Sequence, residues 1–360
     1  MVARISQKNE NEAPPPTLVR ANGSVGVRAV ARAAGVSTAT VSRSLNRPEV
    51  VSEELRTRIA AVIEHLGFVP DAAARALSTR RSGTVGAIFP TLTHGDFARA
   101  ATALQNELLV DGYILLLACS DYDYDQELRQ VRKFVERGVD GVVLVGNEHR
   151  PELERLLRRQ SVPWINTFVY DPAFHGRSIG PDNRKVMVDM TNYLIGLGHR
   201  QFAVIWPSVG NNDRAAARLE GIASALAEQG LSAWPHHQMS GEAPSIGAAR
   251  VLFRRAMQAS VRPTAVICGN AYAATGAELE ALSMGLSIPG DLSIVGYDDI
   301  ELMSELPIPI TTVRVPGDKI GQSAARYLLG RILERNETTQ FEVRPEIVFR
   351  SSSAPPSSVL

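Results

Sequence analysis

The feature that most constrains this chain is a single change of hydrophobic period near Ser82-Gly83. Before it, apolar residues recur at helical spacing. After it, short β-branched runs alternate with helix-length stretches. A chain that changes period once folds as a small all-helical head followed by an α/β body.

In the head, 27–34 reads as an Ala-rich helix stopped by Gly35, and Ser37 caps a second helix over 38–46. Ser52 opens a third, with Glu53 and Glu54 in its first turn, Leu55, Ile59, Val62, Ile63 and Leu66 on one face, and Gly67 at its end. Val30, Ala34, Val41 and Leu45 are the expected core of the first two helices. A further short helix is expected over 72–78, with Leu77 its one large apolar residue.

In the body, strand-like runs at 85–89, 114–118, 142–145 and 164–166 form one series, and runs at 202–206, 265–268, 293–297 and 311–314 a second. Strands alternating with helices build parallel sheets, so two similar α/β subdomains are expected, with ligands at the carboxyl ends of strands. The domain reading is a disordered leader 1–21, a helix-turn-helix head 22–69, a short helix and linker 70–82, the two-subdomain body 83–350 and a disordered Ser/Pro-rich tail 351–360.

Net charge over the 360 residues is zero, which at first discourages a nucleic-acid partner. Partition removes the objection: residues 22–82 carry nine arginines against five acids, while residues 1–21 carry a surplus of one, so the body is acidic. Cys119 and Cys268 lie far apart and form no C-x-x-C pair, so they read as small buried hydrophobes rather than a disulfide or zinc site. No apolar run is long enough to span a membrane and no export signal opens the chain, so a cytoplasmic protein is expected. No strand is followed by G-x-G-x-x-G and no Walker A lysine motif occurs, which counts against a nucleotide-dependent enzyme; the histidines form no metal-binding pair, so no cofactor or metal is expected. A transporter's solute-binding protein would share the body but would carry a signal peptide and no helix-turn-helix.

The segment VRAVARAAGVSTATVSRSLN resembles the helix-turn-helix of the lac repressor (LacI/GalR) family of transcription regulators. The likeness continues through VSEELRTRIAAVIEHLGFVPDAAARALSTRRS, VDGVVLV, GLGHR, ARLEG, LSIVGYDD and ITTVRVP, and so covers about 25–350. It implies a repressor that binds a pseudo-palindromic double-stranded operator as a homodimer, with a periplasmic-binding-protein-like body that senses a small effector. Ser37, Thr38, Thr40 and Ser42 would set hydroxyls beside phosphates, Arg43 can pair with guanine O6 and N7, and Asn46 closes the motif. Thr38 and Ala39 fall where relatives vary with operator sequence. Residues 70–82 resemble the family's hinge helix and linker, in which Leu77 falls at the minor-groove wedge, and Arg75, Arg80 and Arg81 would add phosphate contacts. Gly26 and Ala29 depart from the usual Thr or Ser cap and following Asp of the first helix.

For the effector, the resemblance carries over Arg218 of ARLEG, Asn270 of VICGN and Asp298 of VGYDD. Ala271 stands where relatives usually have Asp. Arg214 shares the helix face of Arg218, and two guanidiniums at a helix N-terminus would favour an anion such as a sugar acid, unless Asp213 neutralises them. His94, Asp96 and Phe97 follow the first strand, and Phe168, beyond the fourth, offers a stacking face. The effector would act by shifting populations between cleft states. The tail lacks the heptads of tetrameric relatives, which favours a dimer.

Overall fold

The computed structural model describes residues 25–70, 76, 81–171, 177–207, 210–231, 233–239, 245–336 and 339–357. The chain divides into two compact units, 1–82 and 83–360, so the period change near Ser82 marks a physical boundary.

The first unit holds α1 (Val27–Ala33), α2 (Thr38–Asn46) and α3 (Glu53–Leu66), with a 3-10 turn at Pro48–Val50. Gly35 at φ +66° and Gly67 at φ +59° occupy left-handed positions beyond α1 and α3, which L side chains adopt only with strain. Val30, Ala31, Ala34, Val41, Ile59 and Phe68 form its core. Leu45, expected there, is 38% exposed. Three short helices bury only Val41 of α2. Residues 71–75 and 77–80, which include Arg75, Leu77 and Arg80, lie outside the described residues.

The second unit begins with β1 (Thr84–Phe89), α4 (Gly95–Val110), β2 (Ile114–Cys119), α5 (Tyr124–Glu136), β3 (Gly141–Val145), α6 (Pro151–Arg159), β4 (Trp164–Thr167) and β5 (Ser178–Ile179). It continues through α7 (Asn183–Gly196), β6 (Phe202–Pro207), α8 (Asp213–Glu228), β7 (Ala233–Met239), α9 (Ile246–Met257), β8 (Ala265–Cys268), α10 (Ala271–Ser283) and β9 (Ser293–Tyr297). The last elements are α11 (Leu302–Glu305), β10 (Thr311–Arg314), α12 (Gly317–Leu333) and β11 (Glu346–Val348). One sheet runs β2-β1-β3-β4-β5 and the other β11-β10-β9-β8-β6-β7. All pairings are parallel except β10 with β11. The buried central strands read as continuous apolar runs, as in GVVLV of β3, because helices cover both faces. In both sheets the strand order reverses beside the first strand of the series, and that switch point opens a crevice at the carboxyl ends.

The tail corrects the sequence reading. Residues 351–357 are not a disordered extension but an ordered strap on the second sheet. Ser352 is fully buried, donating to the Ile294 carbonyl at 2.6 Å and accepting from the Thr311 amide at 2.8 Å. His199, also fully buried, reaches the Ala354 carbonyl at 2.9 Å, and burial holds its imidazole below its ordinary pKa. Serines read as disorder by composition, yet here their hydroxyls satisfy sheet-end groups. Of the cysteines, Cys268 is buried and Cys119 half-buried.

Helices α4 and α12 pack closely because Gly317 and Gly321 bring the α12 backbone against the carbonyls of Asp96 and Ala100; a Cβ at Gly321 would collide with the Ala100 oxygen. Gly321→Ala is expected to cost about 1–3 kcal/mol in urea denaturation. Gly247→Ala, where a Cβ meets open space, should cost nothing measurable; equal effects at the two positions would contradict this packing.

Candidate functional site: an exposed helix and a polar cleft

In the first unit, the Ser37 hydroxyl caps α2, accepting from the Thr40 amide at 3.1 Å and lying 2.9 Å from the Thr40 hydroxyl. With Val41 turned inward, Ser37, Thr38, Ala39, Ser42 and Arg43 are all exposed on α2 and its cap. Thr40 and Asn46 are half-buried, and Asn46 donates to the Ser42 hydroxyl at 3.3 Å. The helix therefore presents small hydroxyls and one guanidinium without bulk. Gly26 at the N-cap of α1 offers no side-chain cap.

In the second unit, the segments that follow β1, β2, β4, β5, β6, β7, β8, β9 and β10 enclose a cavity of about 760 Å³. All eight residues expected from sequence line it: His94, Asp96, Phe97, Phe168, Arg214, Arg218, Asn270 and Asp298. Tyr122, Asn183, Asn212, Tyr272 and Tyr297 line it as well and were missed. Tyr297 adjoins Asp298, and Asn212 caps a helix as Asn270 does, so both carried a signal; Tyr122 and Tyr272 carried none.

Arg218 stacks its guanidinium 4.0 Å from the centroid of the Tyr297 ring and donates to Asn183 Oδ1 at 3.0 Å. Asn183 is pinned through its amide to the Phe168 carbonyl at 2.9 Å. The buried Nε of Arg218 has no protein partner, a donor left for something in the cavity. Asn270 spends its carbonyl oxygen on capping α10, accepting from the Ala273 amide at 2.8 Å. Phe97 and Phe168 meet edge to face at 4.7 Å, and His94 lies edge-on to Tyr272 at 5.9 Å. Phe168 at φ +61° and Asp298 at φ +70° hold left-handed conformations, strain that turns both side chains at the loop ends.

Arg214 differs from the anion-binding expectation. Its guanidinium pairs with Asp213 at 2.7 Å, and the second Asp213 oxygen accepts from the Asn147 amide at 2.6 Å. The sequence left open whether Asp213 neutralises this corner, and in the fold it does. Gly146, at φ +90°, leaves no room for a Cβ beside Arg214.

The acids of the cleft behave differently from one another. Burial, joined by the neighbouring Asp298 charge, raises the Asp96 carboxyl from 3.8 to about 8. Arg99 touches Asp96 and pulls the other way, but it is 43% exposed and water screens it. Burial also pushes Asp298 up, yet the His94 hydrogen bond and the charges of His94 and Arg218 outweigh it and hold this carboxyl below its ordinary range. At neutral pH the cleft therefore presents one protonated and one ionised carboxyl. Among the described residues no group of His, Cys, Asp and Glu could hold a metal ion, and no helix is long and apolar enough to cross a membrane.

Comparison with known proteins adds the family. Residues 27–71 match the model described as bacterial regulatory proteins, lacI family, and residues 191–353 match a periplasmic binding protein-like domain. The ribose operon repressor of Escherichia coli (strain K12) is 32% identical over 331 residues, spanning 90% of this chain and 98% of that protein. The HTH-type transcriptional repressor PurR of Proteus mirabilis (strain HI4320) is 30% identical over 341 residues, spanning 91% and 96%. Among solved structures, a LacI family transcriptional regulator from Silicibacter pomeroyi superposes with a TM-score of 0.81 at 25% identity, covering 91% of this chain and 99% of that one. The Lac repressor dimer bound to operator and the anti-inducer ONPF gives 0.81 at 22% identity, over 92% and 99%, a likeness of fold. The chain thus belongs to the lacI family of bacterial regulatory proteins: it is a DNA-binding regulator of transcription and not an enzyme.

Proposed function

We propose that this regulator is a repressor that binds a pseudo-palindromic operator as a homodimer in the cytoplasm, and that a sugar or sugar acid in the body cleft sets its operator affinity. The observation that carries the effector half is unmet hydrogen-bonding capacity in a roomy polar cleft: the buried Arg218 Nε and Asp96 Oδ2 lack protein partners beside the Phe97 and Phe168 rings. An ionised Asp298 accepts from hydroxyls, a protonated Asp96 donates, and Arg218 binds a hydroxyl or carboxylate oxygen. Because Asp213 occupies Arg214, the preference for an acid rests on Arg218 alone, with Asn270 adding an amide donor. A relative that represses a ribose operon supports the sugar reading.

For DNA, the exposed face of α2 supports the assignment: Ser37, Thr38, Thr40 and Ser42 against phosphates, Thr38 and Ala39 against base edges or a thymine methyl, Arg43 on guanine and Asn46 at the end of the reading helix. Leu77 as minor-groove wedge and Arg75 as phosphate contact rest on the family resemblance. Both lie in a stretch too short to hold a helix alone in water, which suits folding on DNA.

Calorimetric titration of the full chain with a panel of neutral sugars and their acids tests the effector. One class should bind, and Arg218→Met should weaken it by roughly tenfold or more, the loss of a charged hydrogen bond. Binding by none of the panel, or full affinity in Arg218→Met, would overturn the assignment, and tighter binding of neutral forms would remove the acid. For DNA, Arg43→Ala should cost about 1–3 kcal/mol on an operator recovered by selection from random duplexes and relax preference at one guanine. An equal loss on every sequence would move Arg43 from base to phosphate.

A further inference from the structure

The loop 146–150 that follows β3 is tied to α5 at three points. Glu148 accepts from the Tyr124 hydroxyl at 3.2 Å, and Arg150 makes two bonds to Asp125 at 2.8 and 2.9 Å. Between them His149 turns inward to Glu127, and the two side chains are 2% and 6% exposed. His149 Nδ1 lies 2.8 Å from Glu127 Oε2, and Nε2 lies 3.1 Å from the Gly146 carbonyl oxygen. A carbonyl oxygen only accepts, so Nε2 carries a hydrogen. An ionised carboxylate also only accepts, so the ring meets both partners as an imidazolium. Passing the Nδ1 proton to Oε2 keeps both bonds and the same proton count. A neutral ring beside an ionised acid satisfies one partner and aims a lone pair at the other, whichever tautomer it takes.

The Gly146 carbonyl belongs to the same planar peptide group as the Asn147 amide, and that amide donates to Asp213 Oδ2 at 2.6 Å. Gly146 follows β3 of the first sheet, whereas Asp213 opens α8, which follows β6 of the second. One peptide thus runs from a cation to an anion: its oxygen faces the His149 ring and its N–H faces the Asp213 carboxylate. In that orientation each charge strengthens the bond at the other end. The row continues from Asp213 to the Arg214 guanidinium on the cavity wall, 2.7 Å away. We propose that His149 is a protonated positioning residue: its imidazolium fixes the 146–147 peptide against Asp213, tying the two sheets beside the cleft, and the tie loosens when the ring loses its proton.

The groups around the ring set the direction of its titration. Burial disfavours the imidazolium, but the hydrogen bond and charge of Glu127, the charge of Asp213 and the Gly146 carbonyl outweigh it and hold the pKa above its ordinary 6.5. The Arg150–Asp125 pair is exposed, so water screens it, and Arg214 lies beyond Asp213. Tyr124 keeps its proton, because burial and the Glu148 charge push it up. A folded pKa above the unfolded value means that the tie is fully present below 6.5 and is lost as pH rises through the raised value. An effector held beside Arg214 would feel the same change. That consequence rests on the cleft being the effector site, whereas the tie itself needs no ligand to be tested.

Nitrogen NMR of the ligand-free full chain with labelled histidine tests the ring, and hydrogen exchange tests the tie. At pH 7.5 an imidazole of ordinary pKa is about nine-tenths neutral, yet both His149 nitrogens should carry protons, while His199, held low by burial, should be neutral. The His149 signals are those missing from His149→Gln. Corrected for its intrinsic pH dependence, exchange of the Asn147 amide should speed up about tenfold as the ring titrates at higher pH, the loss of one charged hydrogen bond. Glu127→Gln removes the neighbouring charge and should move ring titration and exchange step together to lower pH. That movement also identifies the His149 signals if His149→Gln fails to fold. A His149 ring that is neutral at pH 7.5, or Asn147 exchange that does not follow the ring's titration, would overturn the tie while leaving the effector reading intact.

Discussion

The cleft depends on one constraint of parallel β-structure: strand carboxyl ends and the helix N-termini that follow them lie on the same edge of a sheet. Here two sheets of the same reversing order turn those edges towards one cavity. Each loop there must satisfy the first amides of a helix, so Asn212 and Asn270 cap α8 and α10 as they line the cavity. The polar character of the site is thus a by-product of ending many strands in one place. What makes it a binding site is the surplus: Arg218 Nε and Asp96 Oδ2 remain after the caps are satisfied.

The same crowding explains the charge arrangement. Desolvation penalises every ionised group in the cleft, and the fold meets that penalty three ways. Asp213 and Arg214 neutralise each other, Asp298 is held ionised by His94 and Arg218, and Asp96 keeps its proton. Only the second of these leaves a net charge pattern that a ligand can read. The zero net charge of the whole chain describes neither this cleft nor the arginine-rich head.

The parallel architecture was legible because buried strands repeat as apolar runs: all eight expected runs are strands within a residue or so of their bounds. The three missed strands lack that signal. Ser178–Ile179 has two residues, Ala233–Met239 contains Pro235 and two histidines, and Glu346–Val348 is a short antiparallel edge. Leu45 and the tail failed for a shared reason, that periodicity and composition do not report what lies opposite a residue. Of the cleft, the eight expected residues came from strand ends and motif likeness, while Tyr122 enters from the turn after β2 and Tyr272 from the first turn of α10, positions that no spacing rule marks. Whether Asp213 or a ligand would hold Arg214 also depended on distance, not sequence.

Under the proposed function, cleft occupancy and operator binding are two views of one equilibrium. Linkage then requires that the effector change operator affinity by the same factor as operator changes effector affinity. Measuring all four binding constants of this cycle, with the operator and effector recovered as above, tests it most directly. Two equal ratios well away from one, whichever the sign, are expected. Ratios of one in both directions, with both ligands bound, would contradict it.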